Sequence, residues 1–301
     1  MIFHRIALIG VGHIGASIAL AARAANVTEF ISLYDASESA RARLRELNFG
    51  EVFDSPDEAV AKAELVILCT PVGSMKAAAE SVARYLKIGT IVSDVGSVKR
   101  AVVDAVQSVL PDYVYFVPGH PLAGTEHSGP DAGVETLFQK RWALITPLDD
   151  ARPAYHAAVG QLEEFWKRLG ANVELMDVDR HDTVLAVTSH LPHLIAFNIV
   201  AMAEDLESVT ESEVVKFSAS GFRDFTRIAA SDPTMWRDVF LNNREAVLDV
   251  LGRFSEDLAA LQRAIRWGDG DTLYDLFARA RRMRREVIEA GQDTNWGRDK
   301  T

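Results

Sequence analysis

The chain opens on short apolar runs that alternate with stretches of helical spacing. Residues 5–9, Arg-Ile-Ala-Leu-Ile, form a branched apolar run stopped by Gly10, the mark of a strand buried on both faces of a parallel sheet. Residues 14–25 are Ala-rich and predict a helix. Further apolar runs over 30–34, 65–69, 90–94 and 113–117 predict strands, and 74–86 predicts another helix. This alternation implies a doubly wound parallel α/β sheet with ligands gathered at the carboxyl ends of its strands. The rhythm then changes. Residues 184–203 are almost continuously apolar, and 235–251, 254–267 and 273–289 predict helices, with Gly268-Asp269-Gly270 as a break. Residues 1–150 are therefore expected to form an α/β domain and 151–301 an all-α domain.

Between the first strand and helix stands Gly10-Val11-Gly12-His13-Ile14-Gly15, a G-x-G-x-x-G fingerprint in the strand-turn-helix setting that gives it meaning. Gly10 permits the tight turn, Gly12 lets a pyrophosphate approach the backbone, and Gly15 lets the helix lie close to the strand. The free N–H groups of the helix start, at His13 and Ile14, would meet the anionic oxygens. Asp35 follows the second strand twenty residues after Gly15, where a carboxylate accepts hydrogen bonds from the ribose hydroxyls. Its charge would repel a 2′-phosphate, so this Rossmann-type half is expected to take NAD in preference to NADP. Thr70-Pro71, the segment from Asp94 to Ser97, and Gly119-His120-Pro121 each follow a strand and should border the same cleft.

Composition narrows the classes. Hydrophobic residues at 48% and charged residues at 25% describe a folded chain, and 32 basic against 43 acidic residues give −11. That balance argues against a nucleic-acid or anionic-membrane partner. One cysteine, Cys69, can form neither an internal disulfide nor a thiolate cage, which fits the cytoplasm. The stretch 184–203 has the length to span a bilayer but holds Ser189, His190, Pro192, His193 and Asn198, and is expected to be a buried helix of a soluble protein.

The chemistry-bearing candidates are histidines and arginines. His120 lies in a loop of turn formers after a predicted strand, at the expected mouth of a nicotinamide site. Hydride removal from a carbinol carbon requires the hydroxyl proton to leave too, and an imidazole is a suitable acceptor. His190 and His193 are neighbours on one helix face, with His181 expected on the opposite face; no further zinc-ligand pattern accompanies them, and no metal is expected. Arg223 and Arg227, four apart among aromatic residues, suit bidentate carboxylate capture. The arginine run 279–285 reads as a solvated or subunit-facing helix surface.

Taken together, these segments resemble the prephenate/arogenate dehydrogenases of tyrosine biosynthesis. The likeness rests on the glycine fingerprint, Cys69-Thr70-Pro71-Val72, Asp94-Val95-Gly96-Ser97-Val98-Lys99, Gly119-His120-Pro121-Leu122-Ala123-Gly124-Thr125-Glu126, Thr188-Ser189-His190-Leu191-Pro192-His193, and Gly221-Phe222-Arg223-Asp224-Phe225-Thr226-Arg227-Ile228-Ala229 with Asp232-Pro233-Thr234-Met235-Trp236. The resemblance implies an N-terminal dinucleotide-binding domain, a helical C-terminal domain that builds a homodimer, and NAD-dependent oxidative decarboxylation of prephenate or arogenate in the cleft between domains. It implies His120 as the catalytic histidine on the C4 hydroxyl and Ser97 as the serine that orients that hydroxyl or the histidine. Arg227 matches the arginine that binds a substrate carboxylate. Arg223, where the family often has Lys, together with His190, His193, Glu126 and Thr125, matches polar positions around the same pocket, and Trp236 an apolar wall. Another Rossmann-type hydroxyacid dehydrogenase, or a non-catalytic NAD-sensing protein, would share Gly10 to Asp35 without needing Ser97, His120 and Arg227.

Overall fold

A computed structural model describes residues 1–125, 127–210 and 218–289, with side chains for all but 206–210. Strand β1 (Phe3–Ile9) leads through the glycine turn into α1 (His13–Ala24). The alternation continues with β2 (Thr28–Tyr34), α2 (Glu38–Leu47), β3 (Glu51–Val52), α3 (Pro56–Val60), β4 (Leu65–Leu68), α4 (Met75–Ala83), β5 (Ile91–Asp94), α5 (Arg100–Gln107) and β6 (Tyr115–Phe116). The strands pair in parallel in the order β3-β2-β1-β4-β5-β6, so the winding reverses between β1 and β4. This is the doubly wound order whose switch point forms a crevice at the strand ends.

The apolar runs are continuous because both faces of the sheet are covered. Ile6, Leu8, Leu65 and Ile67 enter one core cluster, while their neighbours Ala7, Ile9, Val66 and Leu68 enter the other. That two-residue alternation is the pleat itself. At the switch point Gly10 adopts φ +84°, and a Cβ on Gly15 would lie 2.7 Å from the Gly10 carbonyl oxygen. Only a residue without a side chain lets α1 rest on the end of β1.

A second, three-stranded sheet was not evident in the pattern. Strand β7 (Gly119–Pro121) pairs antiparallel with β8 (Trp142–Ile145), which pairs parallel with β9 (Asn172–Leu175). His120 was expected in a loop and stands instead in the middle of β7, opposite Leu144. Pro121 is tolerated there because β7 is an edge strand and one flank needs no donor. The helix α6 (Pro153–Arg168) packs Tyr155, Leu162, Phe165 and Trp166 into the same cluster as Ile6 and Leu8. With β9, it interrupts the expected all-α second half; the rest of that half is helical.

Helix α7 (Val178–Leu185) passes through a π-helical turn, Ala186–His190, into α8 (Leu191–Thr210). Then follow α9 (Ser220–Thr226), a 3-10 turn at Arg227–Ala230, α10 (Pro233–Asn242), α11 (Arg244–Trp267) and α12 (Gly270–Glu289). The expected helices over 235–251 and 254–267 are divided differently: the interruption falls at Asn243, and Gly252 lies within α11. A single glycine costs a long helix only about 1 kcal/mol, whereas the Asn243 side chain is drawn inward to donate to the Asp182 carbonyl. The stretch 184–203, expected to be buried, is buried only in part: Leu185, Ala186, His190, Leu191 and Ala196 are covered, while Val187, Val200 and Met202 are exposed. By length and composition alone, Val178–Asp205 could cross a membrane. The chain divides into two compact units, Met1–Val247 and Leu248–Thr301.

Candidate active site

The glycine turn and its neighbours form a polar cradle. No side chain caps the N-terminus of α1, and a Cβ on Gly12 would meet nothing within 4 Å, so its first N–H groups face open space. Asp35, at the end of β2, accepts from Val11 N and from Ser37 N, both at 2.9 Å, which fixes the carboxylate beside the turn. A Cβ on Gly10 would come within 2.6 Å of Thr70 Cγ2, so the loops after β1 and β4 touch. The Thr70 hydroxyl is buried with no partner, and Pro71 begins the following 3-10 turn. His13 is buried, and its ring Nδ1 donates to the Ala132 carbonyl at 2.6 Å, leaving Nε2 without a partner. Ile14 approaches Gly124, in the loop after β7. A helix N-terminus, an open glycine, a fixed carboxylate and an orphaned hydroxyl could hold a dinucleotide diphosphate and ribose.

Asp94, expected beside a cofactor, turns inward. It is fully buried and pairs with the Lys99 ammonium, and it accepts from Gly96 N at 2.8 Å and Gly119 N at 3.2 Å. Lys99 is also fully buried and donates to the Gly119 carbonyl at 2.6 Å. Burial lowers the Lys99 pKa against the pull of Asp94. This pair therefore ties the end of β5 to the start of β7 and sets the strand that carries His120.

His120 is buried at the head of a hydrogen-bonded series. Its Nδ1 lies 2.8 Å from His181 Nε2, and His181 Nδ1 lies 2.8 Å from Asp182 Oδ1. Asp182 accepts from the backbone N–H groups of Lys99 and Arg100, at 2.7 and 2.9 Å. Burial first, then the charges of His181, Lys99 and His190, hold the His120 pKa well below the ordinary imidazole value. For Asp182, burial acts upward, but the hydrogen bonds from His181 and the two backbone groups outweigh it and keep the group ionised.

Asn243 joins His190 to this group, lying 3.0 Å from His190 Nδ1 and 2.9 Å from the Asp182 carbonyl. The expected opposition of His181 and His190 therefore does not hold. The intervening π-helical turn advances each residue through a smaller angle than an α-helix does, and the two imidazoles face one interior. Burial lowers His190 to about 4, with the Asp182 charge and the Ser97 backbone pulling the other way. Ser97 itself is half-buried between β5 and α5. His193 donates Nδ1–H to the Ser189 carbonyl at 2.8 Å and stacks on Trp236 at 3.7 Å between centroids. Trp236 packs with Val98 and Val239, its indole N–H buried and unpartnered. The Arg227 charge reaches His193 and lowers its pKa, although burial is the larger cause. Arg223 and Arg227, expected in an apolar setting, are both exposed. Thr125 is half-buried, and its hydroxyl accepts from His127 N at 3.3 Å. Glu126 lies outside the described residues. Among the described residues, no three acidic, histidine or cysteine side chains are placed to share a metal ion.

Sequence reasoning passed over His181, Asp182, Lys99 and Asn243. One signal was available: Val178, His181, Asp182 and Leu185 are the buried residues of α7, spaced as an inward helical stripe with two polar members where apolar ones are usual.

His13, His120, His181, His190 and His193 all lie below the ordinary value of 6.5, in each case chiefly through burial. On unfolding they return to about 6.5, so below that pH the unfolded chain binds protons that the folded chain does not. Stability is thus expected to be fully present above about pH 6.5 and to fall towards pH 4, with His190 alone accounting for about 3 kcal/mol. Urea unfolding at pH 7 and pH 5 measures this; equal midpoints would contradict it.

A doubly wound sheet with an open glycine-lined helix start and buried neutral imidazoles near its strand ends is the architecture of a dinucleotide-dependent oxidoreductase. The family model for the prephenate dehydrogenase nucleotide-binding domain matches residues 18–175, and that for the prephenate dehydrogenase dimerization domain matches 177–279. The chain belongs to the prephenate dehydrogenase family. It is 43% identical over 284 residues to the cyclohexadienyl dehydrogenase of Zymomonas mobilis, covering 94% of this chain and 96% of that one. Identity to the Bacillus subtilis prephenate dehydrogenase is 35%, covering 93% of this chain and 75% of the relative. The crystal structure of prephenate dehydrogenase from Aquifex aeolicus with hydroxyphenyl propionate and NAD+ superposes with a TM-score of 0.86 at 30% identity, covering 94% of this chain and 98% of that one.

Proposed function

We propose that this chain oxidises prephenate or arogenate with NAD+ in tyrosine biosynthesis, releasing CO2 and 4-hydroxyphenylpyruvate or tyrosine. The observation that carries the reading is His120, a buried imidazole kept neutral near the strand ends, beside the loop that meets the glycine turn. When bound, NAD+ supplies the acceptor for the hydride from the substrate's C4. His120 takes the proton of the C4 hydroxyl, and Ser97 orients that hydroxyl or the imidazole. The ring carboxylate then departs as CO2 and the ring becomes aromatic. Arg227 binds a substrate carboxylate, as suits a guanidinium at the rim of the His193–Trp236 stack. Arg223, His190, His193, Thr125 and Glu126 complete the polar surround, and Trp236 forms an apolar wall.

The cofactor contacts fall to Gly10, Gly12, His13, Ile14, Gly15, Asp35, Thr70 and Pro71, with Asp94 acting from behind through Lys99 and Gly119. The fixed Asp35 carboxylate favours NAD over NADP, since a 2′-phosphate would meet a like charge. The Aquifex aeolicus relative's bound NAD+ and hydroxyphenyl propionate support this assignment. In this reading residues 1–150 handle the dinucleotide, and 151–301 serve the substrate and a homodimer in the cytoplasm.

A spectrophotometric NADH assay with prephenate and arogenate, each with NAD+ and NADP+, tests the proposal. Turnover is expected with at least one substrate and faster with NAD+. No reduced cofactor in any of the four mixtures would remove the reading.

A further inference from the structure

We infer that Asp182 and His181 fix the tautomer of His120, so that its Nε2 presents a lone pair to the substrate hydroxyl. The inference rests on His120 being the proton acceptor and adds how it is made one.

The assignment follows from counting donors. Lys99 N and Arg100 N each point an N–H at an Asp182 oxygen, at 2.7 and 2.9 Å, so both oxygens already act as acceptors. His181 Nδ1, 2.8 Å from Oδ1, must then be the donor and carry the hydrogen. A neutral imidazole carries one hydrogen, so His181 Nε2 is a lone pair. His120 Nδ1, 2.8 Å away, must in turn be an N–H, which leaves His120 Nε2 as the basic nitrogen. Each tautomer dictates the next, and the series begins at two backbone groups at the start of α5, which cannot change protonation.

The surrounding charges keep the series neutral before reaction. Lys99, held by Asp94, lies near both imidazoles and disfavours a proton on either. On reaction, the substrate O–H bond breaks and the N–H bond forms at His120 Nε2. The imidazolium keeps its Nδ1–H donated to His181, and Asp182 remains ionised. His181 and Asp182 are thus positioning residues, with no contact to substrate required.

Ring nitrogen NMR of the intact enzyme labelled with ¹⁵N-histidine is the direct test, with His120→Asn and His181→Gln spectra giving the assignments. Both rings are expected to carry hydrogen on Nδ1 and none on Nε2. In Asp182→Asn the amide would donate to His181 Nδ1, and both rings should switch to Nε2–H. Its kcat is expected to fall by about a hundredfold, with substrate KM and NAD+ affinity within about twofold. His181→Gln can accept from His120 and donate to Asp182, so it should retain most of kcat, while His181→Leu should not. Hydrogen on His120 Nε2 in the unmodified enzyme, an Asp182→Asn enzyme with unchanged kcat, or one that loses kcat without the switch would each overturn the inference. If Asp182→Asn does not fold, the spectrum of the unmodified enzyme decides alone. A His120→Asn enzyme with normal turnover would instead remove the base reading, a separate result.

Discussion

Replacing His120 with asparagine is expected to reduce kcat by about 10³-fold while NAD+ binds with near-normal affinity. Asparagine is close in reach and can donate its amide to His181 Nε2, so the buried series keeps its partner. What it lacks is a nitrogen basic enough to take a hydroxyl proton. The glycine turn and Asp35 lie on other strands and would be undisturbed. The unmodified enzyme should also lose activity towards acid only below the ordinary imidazole pKa, because burial and the charges of His181, Lys99 and His190 keep His120 neutral to lower pH. Stopped-flow and steady-state rates from pH 5 to 9 give both results. A His120→Asn enzyme within tenfold of normal, or an inflection above 6.5, would place the proton acceptor elsewhere.

The second large effect is on stability. Lys99→Met should cost about 3–5 kcal/mol, because it leaves the Asp94 carboxylate fully buried without its cation. The Gly119 carbonyl loses its donor at the same stroke. Adding Asp94→Asn removes the stranded charge, and the double variant should recover most of the loss, as expected when the penalty lies in an unpaired charge. Urea unfolding of the two single variants and the double gives the coupling directly. Additive losses would show that Asp94 and Lys99 act independently. Lys99→Met should also reduce turnover in the folded fraction, since β7 is tethered to β5 through this pair.

The sheet was legible because its physics is local. A strand buried on both faces must be apolar at every position, and the run Ile6 to Ile9 and the run Leu65 to Leu68 could satisfy that in no other way. The glycine fingerprint was legible because strand, turn and helix surround it. Strands β8 and β9 were not: β8 is four residues long, and β9 is mostly exposed, so neither leaves a strong alternation. The anchor of His120 was hidden for a different reason. Lys99-Arg100 and Asp179 to Asp182 read as ordinary solvated charge, and what makes Lys99 and Asp182 buried is their meeting across some eighty residues of sequence. Asn243 likewise has meaning only beside His190 and Asp182. Arg223 and Arg227 were legible as a spaced pair, but the exposure of both side chains was not.

The π-helical turn at Ala186–His190 carries a consequence for how this chain can vary. A wider turn stores one residue more than regular coiling would need, so the segment acts as a vernier between α7 and α8. Trimming a single residue there would leave composition and hydropathy nearly untouched, yet it would rotate everything that follows by about 100°. His190 would swing away from Asn243, and His193 from Trp236. Length, more than identity, is therefore the constrained quantity in these five positions, where Val187 lies exposed and makes no chemical claim of its own.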